Sequence, residues 1–244
     1  MYFHLLHLGR VPYADGLAVQ QRVVAARKAG AIGDTLLLLE HPPVITLGRN
    51  SKRANVVASD ALLAARGVEL HEINRGGDVT YHGPGQLVGY PIVDLRGDLP
   101  GKKGPHLGPV DFVRLLEEVL IRVCGDFGVP AQRVPGRTGV WTVAGGSILE
   151  KKVAAIGVHV SQGVTSHGFA LNVTTDLREF AWIVPCGITD RAVTSLELEV
   201  DDAHPATMET AANSVARQFG RVFGRQMVAA ESVEALLGGD AVAG

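Results

Sequence analysis

The sequence has only two cysteines in 244 residues, Cys124 and Cys186. Two thiols cannot build a disulfide scaffold, so the chain is expected to live in a reduced compartment. Neither sign of charge dominates: 23 Lys+Arg stand against 25 Asp+Glu, for a net charge of -2. That balance excludes bulk binding to nucleic acid, which needs clustered Lys and Arg. No apolar run approaches the ~20 residues that cross a bilayer. The first residues, Met1-Tyr2-Phe3-His4-Leu5, lack the basic and apolar regions of a signal peptide. The phosphate-binding patterns Gly-x-x-x-x-Gly-Lys and Gly-x-Gly-x-x-Gly are missing, as is the Gly-x-Ser-x-Gly elbow of serine hydrolases. His82, His159 and His167 are too scattered for the close ligand pairs of a zinc site. A cytoplasmic protein is expected, with no membrane or nucleic-acid partner, no metal and no bound cofactor.

What is present fits one large α/β domain. Hydrophobic residues make up 46% of the chain and charged residues 20%, enough apolar material for one core. The 30 glycines are about 12% of the chain, where ~7% is usual. They concentrate in residues 75–89 and in pairs such as Gly145-Gly146. Glycine goes where backbone turns left-handed or approaches a ligand closely, so a site built largely from backbone is expected.

Apolar spacing predicts strands over residues 3–8, 35–40, 44–47, 68–73 and 86–95. Helices are predicted over 13–29, closed by Gly30, and over 60–66, capped by Ser59 and ended by Gly67. Residues 96–108 read as a polar surface loop. Val113, Leu116, Leu120, Val123 and Phe127 mark an amphipathic helix, and Met208, Ala211, Val215, Phe219 and Val222 another. Residues 153–160 and 164–173 form a hairpin around Ser161-Gln162-Gly163. The mixture is α+β (mixed α/β), with a largely antiparallel sheet flanked by helices. Residues 1–237 are expected to form the single domain, with a disordered tail at 238–244.

Three segments point to chemistry. Arg75-Gly76-Gly77-Asp78-Val79-Thr80-Tyr81-His82-Gly83-Pro84-Gly85-Gln86 lies between two predicted strands. It is too rich in glycine and functional side chains for an ordinary turn. Its backbone N–H groups suit an anion or a polarised carbonyl, with Arg75 and His82 as added donors. Cys186, in Ile183-Val184-Pro185-Cys186-Gly187-Ile188, suits a nucleophile whose following N–H, on Gly187, faces an oxyanion. A lone cysteine is more often a buried, inert thiol, and Cys124, on an amphipathic helix, reads that way. A reactive thiol needs a nearby cation. Lys152 opens a strand in which period two places it with Ala154 and Ile156, whereas Lys151 reads as a solvated edge.

The segment 75–86, followed by Leu87-Val88-Gly89-Tyr90, resembles the signature of the lipoyl(octanoyl)transferases. Glu40-His41-Pro42-Pro43-Val44-Ile45-Thr46-Leu47-Gly48-Arg49 resembles the family's early strand–turn–strand. Residues 152–157 resemble its lysine strand, and Pro185-Cys186-Gly187-Ile188 its cysteine segment. The similarity runs from about residue 3 to 225 and departs in the loop 96–108 and the C-terminal extension. It implies the fold shared with biotin and lipoate protein ligases. It also implies that Cys186 takes an octanoyl group from acyl carrier protein as a thioester, with Lys152 lowering the thiol pKa and serving as acid and base. The acceptor is then the lysine of a lipoyl domain of a 2-oxoacid dehydrogenase acyltransferase subunit, or of the glycine-cleavage H protein. Arg75, Gly76, Gly77, Asp78, Val79, Thr80, Tyr81 and His82, with Ala155, Ile156, Gly157, Gly168, Phe169 and Ala170, would line the acyl site. His159 and Asn172 lie near these segments without an assigned role. Thioester exchange is close to isoenergetic and amide formation is downhill, so neither step needs ATP. Two alternatives remain open at this level: an ATP-dependent ligase of the same fold, and a non-catalytic acyl or carrier-protein binding module.

Overall fold

The computed structural model describes residues 2–143, 149–184, 192–200 and 205–238. Eleven strands and six α-helices follow one another along these residues, with two short 3-10 turns between them. Strand β1 (Tyr2–Arg10) leads to α1 (Tyr13–Lys28), β2 (Thr35–Glu40), β3 (Val44–Leu47), α2 (Asp60–Ala65), β4 (Glu69–Glu72), β5 (Val79–His82) and β6 (Gln86–Ile92). Helix α3 (Pro109–Asp126) is followed by β7 (Ala131–Val134), β8 (Arg137–Thr142), β9 (Lys152–Ser161) and β10 (Val164–Asn172). The chain ends in α4 (Leu196–Glu199), α5 (Met208–Phe223), β11 (Gln226–Ala229) and α6 (Val233–Gly238).

The apolar run of β2 explains the layering. Leu36 and Leu38 belong to one core, with Phe3 of β1, Leu87 of β6, Leu116 of α3 and Phe219 of α5. Leu37 and Leu39 belong to another, with Leu6, Val88 and Ile92, Val23 of α1 and Leu236 of α6. Alternate side chains of a strand point to opposite faces, so a strand apolar at every position is a strand covered on both. The sheet therefore has α3 and α5 on one side and α1 and α6 on the other. Its order is β11-β1-β2-β6-β10-β9-β8-β7. The β11–β1 and β1–β2 pairs are parallel and the remaining five antiparallel. A second, three-stranded sheet, β4-β3-β5, has its own small core of Ile45, Leu47, Leu63, Val79, Tyr81 and Ile183.

The mixed α/β architecture expected from the sequence is present, and most element boundaries fall within a few residues of those predicted. The hairpin β9–β10 turns at Gln162 and Gly163, both at positive φ (52° and 82°), the left-handed pair that matches strand twist. Three expectations change. The glycine-rich segment is not loop throughout, because Val79–His82 pairs with β3. Its β-branched and aromatic residues favour a pleated strand. The strand predicted over 86–95 stops at Ile92, and Asp94 keeps only a single bridge to Val164. Strand β11 and helix α6 were not predicted. Gly238, expected to start a tail, closes α6, and residues 239–244 lie outside the described ones.

Helix α3 buries a carboxylate within its apolar face. Glu117 is fully buried and accepts from Gly139 N at 3.1 Å, Arg114 Nη1 at 2.6 Å and Arg133 Nε at 3.2 Å. It thereby ties α3 to β8. Arg114 and Arg133 are partly exposed and return to water if the carboxylate is removed, but the buried Gly139 N–H then loses its acceptor, which costs about 2 kcal/mol. Glu117→Ala is therefore expected to lower unfolding stability by about 2 kcal/mol, measured by urea denaturation. A loss well under 1 kcal/mol would show that this carboxylate is not what fastens α3 to the sheet.

Candidate active site

A cleft of about 350 Å³ opens between the large sheet and the small one. Its floor comes from paired strands. Ala155 of β9 pairs with Ala170 of β10, which pairs with Val88 of β6; Asn172 pairs with Gln86. All five line the cleft. Residues that pair across an antiparallel sheet point to the same face. The floor therefore has a polar row, Asn172–Gln86, and an apolar row of small side chains, Ala155–Ala170–Val88. Two residues of strand separate the rows, about 7 Å. Beyond them Gly157 pairs with Gly168, and the glycine-rich segment crosses the sheet. Gly76 N–H donates to Val158 O at 3.0 Å. A Cβ at Gly157 would lie 2.7 Å from Gly76 O, so this crossing requires glycine there.

Lys152 stands at the polar end, on a face that strict alternation did not predict. Val140 pairs with Ala154, but Trp141 pairs with Lys152. One extra residue, Val153, sits on β9 between those pairs, which is a β-bulge. Val153 and Ala154 both enter the core under α3, and Lys152 turns to the cleft with Ala155. Its Nζ lies 4.7 Å from the centroid of the Trp141 ring, and Arg137 Cζ lies 5.9 Å from the same ring. The indole face thus holds the ammonium by its quadrupole. The Lys152 backbone is paired as well: its N–H donates to Ala192 O at 3.0 Å, and its carbonyl accepts from Thr194 N at 2.9 Å.

The polar wall opposite is built by β5 and the segment before it. Arg75 is buried and donates to Thr46 O at 2.8 Å, to Thr46 Oγ1 at 2.9 Å and to Gly76 O at 3.0 Å. Asp78 Oδ2 accepts from Asn55 Nδ2 at 2.8 Å. His82 Nδ1–H donates to Gln86 Oε1 at 2.7 Å, which leaves its Nε2 as an acceptor. Burial first, and then the charge of neighbouring groups, hold the His82 pKa down to about 3 and that of His167 to about 4. Burial pushes the Tyr13 hydroxyl up to about 12. Apart from histidines and tyrosines, the ionisable side chains lining the cleft, among the described residues, are the basic Arg75, Arg137 and Lys152 against the single carboxyl of Asp78. Such a site favours a developing anion.

Of the residues proposed from sequence, Lys152, Arg75, Gly77, Asp78, Val79, Thr80, His82, Ala155, Ile156, Gly157, Gly168, Phe169 and Ala170 line this cleft. Gly76 and Tyr81 do not. Gly76 fastens the crossing to β9. Tyr81 shares a face of β5 with Val79, is buried in the small core and donates its hydroxyl to Glu179. Arg75 and His82 were expected as donors to a bound group. The Arg75 donors above serve protein oxygens, and the single N–H of neutral His82 serves Gln86. Cys186 and Gly187 lie outside the described residues. Cys124 is buried, and burial pushes its thiol up to about 12, as suits an inert core thiol. Tyr13, Tyr90, Trp141, His167 and Asn172 also line the cleft. Only their polar or aromatic character in otherwise apolar elements could have signalled them.

The family model described as lipoyl protein ligase A/B catalytic domain matches residues 12–220. A protein of Acidobacterium capsulatum named Octanoyltransferase is 67% identical over 237 residues, 97% of this chain and 96% of its own. One of the same name from Koribacter versatilis is 55% identical over 233 residues, 96% of this chain and 89% of its own. Among solved structures, one from an archaeal lipoylation system comprises a bi-partite lipoate protein ligase and its E2 lipoyl domain from Thermoplasma acidophilum. The matched chain aligns with a TM-score of 0.69 at 18% identity, over 98% of this chain and 91% of that one. At that identity the likeness is one of fold.

The neutral histidines carry a pH signature. His82 is held at about 3 when folded, below its ordinary 6.5. Its contribution to stability is therefore complete above pH 6.5 and is lost as pH falls from there through the folded value. Wild-type Tm, measured by calorimetry, is expected to fall between pH 7 and pH 4, and His82→Gln to fall less over the same interval. Equal slopes in the two proteins would contradict a neutral, buried His82.

Proposed function

The chain belongs to the lipoyl protein ligase A/B catalytic-domain family, and from that premise we propose that it is an octanoyltransferase working through an acyl-enzyme on Cys186. It transfers octanoyl groups in protein lipoylation. In the proposed first step the Cys186 thiolate attacks the carbonyl carbon of octanoyl-acyl carrier protein. The carbon–sulfur bond to the carrier breaks, and the carrier thiolate leaves with a proton from the Lys152 ammonium. In the second step the amine of a lipoyl-domain lysine attacks the Cys186 thioester. An amide forms, the Cys186 thiolate departs and the amine of Lys152 takes the proton.

The observation that carries this reading is the placing of an ammonium at the polar end of a trough floored by small apolar side chains. The floor runs about 13 Å from the Asn172 row past Ala170 to Gly168, a length suited to an extended eight-carbon tail. Each methylene buried there contributes about 0.8 kcal/mol. The described neighbours of Cys186 support the assignment on both sides. Val184 N–H donates to Asn55 O at 2.8 Å, and Asn55 in turn holds Asp78 of the cleft. Ala192, on the other side, accepts from Lys152.

Two experiments test the proposal. Octanoyl-acyl carrier protein is expected to add one octanoyl mass to the intact enzyme, removable by hydroxylamine, in wild type and Cys124→Ser but not in Cys186→Ala. An active Cys186→Ala enzyme that consumes ATP and free octanoate would instead identify a ligase. Ala155→Leu fills the apolar row and is expected to favour shorter acyl chains. Each excluded methylene should lower kcat/KM about fourfold, read from transfer rates across an acyl series. An unchanged chain-length profile would remove Ala155 from the acyl site.

A further inference from the structure

A buried chain of amides connects the wall of the cleft to the backbone of Lys152. His82 Nδ1–H donates to Gln86 Oε1 at 2.7 Å. Gln86 Nε2 donates to Tyr81 O at 3.2 Å and to Asn172 Oδ1 at 2.9 Å. Asn172 Nδ2 donates to Thr194 O at 2.9 Å, and Thr194 N–H donates to Lys152 O at 2.9 Å. Asn172, Gln86 and Thr194 are 4%, 2% and 1% exposed. Every donor in the chain meets an acceptor in one sense of direction. Turning the Asn172 amide would set its NH₂ against the Gln86 NH₂ and its oxygen against a carbonyl. The sequence of donors and acceptors thus has one arrangement.

What that arrangement fixes is the backbone on which Lys152 stands. Residues 192–194 run beside Lys152 as a short parallel pairing, bonded through Ala192 O and Thr194 N. The Thr194 hydroxyl is held separately by Glu199 at 2.6 Å, so the side chain of Thr194 does not need Asn172. Its carbonyl does. That pairing also anchors the described residues immediately after the segment that carries Cys186.

We infer that Asn172 is a positioning residue: it fixes residues 192–194 against Lys152, and so sets the approach of the Lys152 amine to the reacting thiol. The inference rests on the proposed roles of Cys186 and Lys152. Asn172 takes no part in the proton transfer, since its amide is engaged by Gln86 and by Thr194 O. Its effect on the thiol depends on the presence of the Lys152 amine, and that makes it separable from a general loss of stability.

The test is a double-mutant cycle in a Cys124→Ser background, where Cys186 is the one thiol left. Its alkylation by iodoacetamide is followed against pH in the full chain. Lys152→Ala is expected to raise the midpoint of the profile by about one pH unit or more. Asn172→Ala is expected to raise it part of the way, and the double variant to match Lys152→Ala alone. Asn172→Ser, too short to reach Thr194 O but still polar toward Gln86, gives the same reading if the alanine variant does not fold. Shifts that add in the double variant, or a wild-type midpoint in both Asn172 variants, would overturn the inference. A Lys152→Ala profile identical to wild type would overturn the lysine's role in the proposed function, and this inference with it.

Discussion

Lys152 faces the cleft because β9 carries one residue more than β8 at that point. Without the bulge at Val153, the alternation of the strand would send the lysine into the core under α3, where Val153 and Ala154 now lie. An ammonium there would have no water and no partner, at a cost of several kcal/mol. With the bulge, the same backbone places two apolar residues in the core and the amine on the open face, over the Trp141 ring. The rest of the proposed chemistry depends on this shift in register. The cleft floor, the glycine crossing and the pairing with residues 192–194 are all arranged around the strand that bears it.

The cleft separates two tasks along its length. At one end lie the amides of Asn172 and Gln86 and the cations of Lys152 and Arg137. In the middle, Ala155, Ala170 and Val88 leave a channel because none of them is large. At the far end the crossing at Gly157 and the buried Arg75 close the wall. The ionisable rings in that wall, His82, His167 and Tyr13, are kept neutral by burial. In the proposed reading an apolar tail passes these neutral rings, while Arg75 is bonded to protein oxygens and Lys152 and Arg137 lie by the Trp141 indole. Neutrality here is a consequence of packing and imposes a stability cost in acid.

Much of the fold could be read from residue order. The run Thr35–Glu40, apolar at almost every position, announces a strand covered on both faces, and the turn at Gln162-Gly163 announces its hairpin. Helices capped by Ser59 or closed by Gly30 begin and end within a residue or so of where local chemistry puts them. What escaped was non-local. Strand β11 is short and mostly exposed, and its evidence is a parallel partner more than two hundred residues away in sequence. The pairing of Val79–His82 with β3 likewise turns a glycine-rich segment into half a strand. In the site, Lys152 could be singled out as an unusual cation at a strand entry, but its face depended on a bulge that period two cannot express. Tyr81 was drawn into the site by its neighbours in sequence, and alternation along β5 puts it in the small core instead. Asn172 could be seen near the right segments, but its significance lies in partners at positions 86 and 194.

The central claim is that the acyl group passes through the enzyme's own thiol on its way to the acceptor lysine. Rapid-quench single-turnover kinetics tests it most directly, with octanoyl-acyl carrier protein mixed against enzyme and a lipoyl domain and both acylated proteins followed by mass. Octanoyl-Cys186 is expected to rise first and then decay at the rate at which the acylated lipoyl domain appears. Product that forms without a lag, or faster than the adduct decays, would contradict it.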